Sequence, residues 1–143
     1  MNSTLQNSTA LIGRILLAQI FLISGYGKIT GYAGTAAYMA SKGLPLVGVL
    51  LPLTILVELG GGLLVALGWK ARWAALVIFL FLIPVTLVFH NPAGLAAAAA
   101  QQATIHLLKN LSIMGGMLGL IAFGPGGFSL DARQQPQVQG EAR

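Results

Sequence analysis

The sequence predicts an all-α integral membrane protein, a bundle of four spanning helices. The first observation behind this is composition. Of the 143 residues 56% are hydrophobic and only 8% charged, where a soluble domain carries about 25% charged residues. The second is that the apolar residues fall into four runs, each near the roughly 20 residues that cross a bilayer core. The third is that these runs do not alternate polar and apolar, which removes a barrel. Lipid then makes each run a helix, because its backbone must satisfy its own hydrogen bonds.

The first span is expected over Thr9–Ile29. The residues before it lack the basic segment of a signal peptide, so this span should be retained. Arg14, Ala18, Phe21, Gly25 and Lys28 recur at steps of four and three, a stripe that should face the bundle interior. Gln19 points about 140° away from Arg14, toward another neighbour or the partner of a homodimer. The connector Gly31–Pro45 carries Thr35–Lys42, expected as a short interfacial helix ended by Gly43 and Pro45.

The second span is Leu46–Leu67, with Gly60-Gly61-Gly62 allowing close helix approach. The tight turn Gly68-Trp69-Lys70 makes it antiparallel to the third span, Ala71–Phe89. Pro84 should remove one backbone bond there and kink the helix. Asn91-Pro92 is expected to cap a helix running through Ala96–Ala100 into the fourth span, Ala103–Phe123. The alternative is that the alanine run forms a separate re-entrant or surface helix. Gly115 and Gly119 offer a second small-residue packing surface. One transmembrane domain over residues 9–127 is therefore expected, followed at 128–143 by a polar, disordered tail.

Arg14, Lys70, Arg72, Arg133 and Arg143 collect on one side, against Lys28 and Lys42 on the other. The excess places both termini in the cytoplasm, with Trp69 and Trp73 as interfacial anchors. The eight cations form no stripe, so a nucleic-acid partner is not expected. The chain has no cysteine, which removes disulfides, thiolate metal sites and persulfide chemistry carried by the chain itself.

Glu58 is the only acid between Met1 and Leu130. A carboxylate deep in lipid costs about 2.5–3.5 kcal/mol, so it should be paired, protonated or part of a pathway. Counted from the span ends, Glu58 lies about 13 Å and Arg14 about 7 Å from the cytoplasmic edge. Arg14 is therefore the first-choice partner, in a pair that either fixes helix docking or serves function. The opposite, outer half gathers Tyr26, Lys28, His90, His106, Lys109 and Asn110. Lined by apolar walls, these groups suit a quinone or an oxygen-bearing aromatic ring. Cations polarise carbonyl oxygens and histidine passes protons near neutral pH. Glu58, His106 and Lys109 are the candidate catalytic groups. Arg14, Tyr26, Lys28, His90 and Asn110 complete the candidate ligand set. Each has a competing reading in packing or headgroup contact. Two histidines and one distant acid are too few ligands for a metal, and no covalently bound cofactor is expected.

The segment Leu11-Ile-Gly-Arg14 through Ser24-Gly-Tyr-Gly-Lys28-Ile resembles the first helix of the DoxX family. So do Glu58-Leu-Gly-Gly-Gly62-Leu-Leu with Arg72-Trp-Ala-Ala, and the block His106-Leu-Leu-Lys109-Asn110-Leu-Ser-Ile-Met-Gly115-Gly116. The resemblance implies a four-helix protein of the bacterial inner membrane, its polar positions falling on Arg14, Lys28, Glu58, Lys109 and Asn110. It also implies quinone-coupled oxidation of small substrates, or membrane complexes handling redox stress. Without cysteine, sulfur chemistry would need a redox partner subunit. Three readings follow: a quinone-binding oxidoreductase subunit, a proton-coupled small-molecule carrier built on Glu58, or a non-catalytic assembly scaffold.

Overall fold

The computed structural model describes residues 3–134. Four helices are long and apolar enough to cross a membrane: α1 (Ser3–Thr30), α3 (Val47–Leu67), α4 (Ala71–Phe89) and α5 (Ala97–Phe123). A short helix, α2 (Tyr32–Ser41), follows α1, and α6 (Leu130–Gln134) follows α5. The four expected spans are present. The connector helix begins three residues before the expected Thr35.

α1 buries Arg14, Ala18, Phe21 and Gly25, the stripe its spacing predicts, and leaves Gln19 exposed. α3 lies antiparallel against it, and glycines set the approach. A Cβ on Gly62 would lie 3.2 Å from Phe21 Cβ, and one on Gly61 3.0 Å from Ile78 of α4. Only a residue without a side chain lets the backbones come this close. Ala18, Phe21, Val65, Ala75, Ile78 and Met117 form the centre of the core. The Gly115/Gly119 pair does not pack as expected, for nothing lies within 4 Å of where either Cβ would be. Gly116 makes the contact instead, against Leu17 of α1, because the face of α5 that meets the bundle runs through Asn110 and Met117.

α3 ends in a Schellman motif: the Gly68 N–H donates to Val65 O (3.1 Å) and the Trp69 N–H to Leu64 O (3.0 Å). Gly68 (φ +66°) supplies the left-handed residue, and Lys70 (φ +46°) adopts the same conformation, at a cost of about 1 kcal/mol or more for a side-chain-bearing residue. α5 is continuous from Ala97, which discards a separate helix for the alanine run. Asn91 does not cap it. Its Oδ1 accepts from the Ala93 N–H (3.0 Å), closing an Asx turn. Pro84 lies on an exposed surface of a helix that continues to Phe89.

The disordered tail expected over 128–143 is corrected as far as the description reaches, and residues 135–143 lie outside it. Phe128 O accepts from Arg14 Nη2, and Ser129 is buried. The Asp131 carboxylate accepts from the Lys70 and Ala71 N–H groups at 2.7 and 3.0 Å. Asp131 thereby satisfies backbone donors left free at the start of α4.

Candidate functional site

Glu58 sits on a π-helical turn, Leu56–Gly61, in the middle of α3. Such a turn carries an extra residue and shifts the side chains on either side of it, and π turns occur frequently at functional sites. Glu58 is only 6% exposed, so its carboxylate needs a partner. That partner is Lys28, whose Nζ donates to Oε2 at 2.8 Å and Oε1 at 3.0 Å. Ser24 completes the group: its Oγ accepts from Lys28 Nζ at 2.6 Å and donates to Glu58 Oε1 at 3.3 Å.

The expected Arg14–Glu58 pair is not formed. The glycine contacts fix the register of α1 on α3, placing Gly25 beside Glu58 and Leu59, Phe21 beside Gly62, and Arg14 beside Gly68. Arg14 is therefore eleven residues, about 16 Å, along α1 from the level of Glu58. The span boundaries do not share one plane: Arg14 stands level with Gly68, the residue that ends α3, at the edge of the bundle rather than about 7 Å inside it. Arg14 is buried at the terminus-bearing end, where its Nε and Nη1 find no partner among the described residues.

The Lys28–Glu58 pair lies in a cleft of about 390 Å³ in the half of the bundle away from the termini. Phe21, Phe81, Leu82, Phe89 and Ile113 supply apolar wall. Of the expected ligand set, Lys28, Glu58, His90, Lys109 and Asn110 line it. Tyr26 does not, being 65% exposed on the outer face of α1. His106 does not line it either. Its ring stacks on His90 with centroids 5.0 Å apart, and its Nδ1 lies 3.0 Å from Lys109 Nζ. An ammonium only donates, so Nδ1 is the acceptor. Asn110 Nδ2 donates to Thr86 Oγ1 at 2.9 Å, a buried clasp between α5 and α4.

His90 follows the last residue of α4. Burial first, then the charges of His106, Lys109 and Lys42, hold its imidazole below the ordinary range. It is therefore neutral near pH 7, able to donate at one nitrogen and accept at the other. Sequence reasoning missed Ser24, Thr35, Tyr38 and Thr54, which also line the cleft. Ser24 was findable, since it lies four residues before Lys28 on the same helix face. Tyr38 carries no such signal, because the docking of α2 alone brings it over the cleft.

A comparison with known families matches DoxX over residues 9–91, so the matched stretch includes Lys28, Glu58 and His90 and stops before Lys109. Among known proteins, the chain is 41% identical over 127 residues to inner membrane protein YqjF of Escherichia coli (strain K12), covering 89% of this chain and 92% of the relative. It is 33% identical over 123 residues to inner membrane protein YphA of the same organism, covering 86% and 88%. No solved structure matches the chain.

Proposed function

The chain belongs to the DoxX family and is a multi-pass protein of the bacterial inner membrane, and from that premise we propose that its cleft binds a quinone-like aromatic ligand as part of a redox-associated membrane subunit. The observation that carries this reading is the pairing of aromatic wall with one ion pair and a second cation that has no carboxylate partner among the described residues, in a single cavity. Phe21, Phe81 and Phe89 offer flat apolar surface to a ring. Lys109 supplies a charged donor for a ring oxygen, oriented by His106 behind it. Neutral His90 supplies a second polar contact and a site for a proton. Lys28 and Glu58 satisfy each other and keep the cleft floor dipolar rather than charged. A cavity of this size suits a ring headgroup, whose apolar chain would leave between the helices into lipid.

Binding should raise the melting temperature of the purified protein in detergent. Ubiquinone or menaquinone at about a hundred times its Kd adds about 2.7 kcal/mol of stability. Lys109→Ala should abolish the shift and leave the ligand-free melt unchanged. No quinone-dependent shift in several detergents would remove this reading.

A second reading, a proton-coupled carrier, draws on the position of Glu58. The sole acid within the spans is held by one exchangeable ion pair, on an irregular turn, inside a cleft. That reading predicts substrate-driven proton flux in liposomes that Glu58→Gln abolishes. Flux that survives in the mutant leaves the carrier without a coupling group.

A further inference from the structure

At the terminus-bearing end, a groove of about 670 Å³ runs between the start of α4 and the segment after α5. Lys70, Arg72, Trp73, Phe123, Asp131 and the Gly124–Gly126 loop line it. We propose that this groove is a binding site for the headgroup of an anionic phospholipid.

Neither Lys70 nor Arg72 makes a side-chain hydrogen bond or ion pair among the described residues. Among the described residues Asp131 is the one carboxylate in the groove, and its two oxygens accept from the Lys70 and Ala71 backbone N–H groups. Among the described residues the groove thus sets two cations against one carboxylate, an excess of positive charge. The Arg72 guanidinium lies over Gly124, where a Cβ would be 3.2 Å from Nη2. The planar fork of arginine then stands ready for a phosphate diester.

α4 has 19 residues, a length of about 28 Å, which matches a hydrocarbon core of about 30 Å. Its first turn, with Arg72 and Trp73, is therefore at headgroup level. Trp73 is 70% and Phe123 88% exposed. Aromatic rings standing free at a span end are covered by the boundary between headgroups and acyl chains. A soluble phosphate would meet the cations and leave both rings bare, whereas a phospholipid covers all of these groups. Basic pockets between spanning helices are known to hold acidic headgroups. This inference uses no residue of the cleft and stands whether or not the cleft binds a quinone.

Native mass spectrometry of the full chain, released from micelles carrying phosphatidylglycerol or phosphatidylcholine of matched acyl chains, tests it. Phosphatidylglycerol adducts should persist in preference, and the Lys70→Gln/Arg72→Gln variant should lose that preference by about tenfold or more. Lys109→Ala should keep it. The single variant Lys70→Gln, at an exposed side chain, should show a partial loss with an unchanged melt in phosphatidylcholine nanodiscs, should the double variant fold poorly. Equal retention of both lipids, or an unchanged preference in the variants, would overturn the proposal. Displacement of the lipid by millimolar inorganic phosphate would overturn it too, in favour of a soluble anion.

Discussion

A single carboxylate inside a bundle is tolerable only when something answers its charge, and here Lys28 does so from the next helix at 2.8 Å. Truncating one member of a buried pair leaves the other uncompensated, which costs about 3–5 kcal/mol. Lys28 keeps about a quarter of its side chain accessible, so Lys28→Met should cost about 3 kcal/mol. Adding Glu58→Gln to that variant should restore most of the loss, because a neutral amide needs no counter-charge and can still bond Ser24. Thermal melts of the two single variants and the double variant in one detergent read this coupling directly. Additive losses would mean that the two side chains do not act as a pair. Residue chemistry of this kind was legible from the sequence: an acid in an apolar run must find a partner. Which cation answers it was not legible, since Arg14 and Lys28 share one face of α1 and differ only in height.

At the scale of the elements, height and rotation are set by contacts that no single helix encodes. The π turn at Leu56–Gly61 has no marker in composition, yet it decides how Glu58 is presented to the cleft. The start of α4 is a second case. No residue of its own first turn caps it, and the cap comes from Asp131, 60 residues away along the chain from Ala71. Asp131→Ala should destabilise the protein by about 1 kcal/mol. Arg133→Ala, an exposed neighbour on the same short helix, should leave the melt unmoved. Comparing the two by thermal unfolding separates a specific cap from a general effect of the segment. Equal melts for Asp131→Ala and wild type would remove the cap.

The whole molecule is an apolar cylinder with two chemically different ends. Arg14, Lys70, Arg72 and Arg133 lie at the end where α1 begins and α6 packs, and Lys42 and the His90–His106–Lys109 group at the other. If cations are retained on the cytoplasmic side, both termini are cytoplasmic and the cleft belongs to the outer half. A C-terminal fluorescent-protein fusion should then be fluorescent in cells, and an alkaline phosphatase fusion at the same point inactive. An active phosphatase would invert the arrangement. With the bundle inverted, the cleft would belong to the inner half.

Composition and run length by themselves determined that this chain is a four-span helical membrane protein, because transfer into hydrocarbon acts on each segment separately. Periodicity determined the inner face of α1, since 3.6 residues per turn is a property of one helix. Tertiary structure alone decided the partner of Glu58, the cap from Asp131 and the placing of Tyr38 over the cleft. Each of these depends on how far one helix slides along another, and that distance is fixed by where glycine lets side chains nest, a relation between segments that neither segment carries alone.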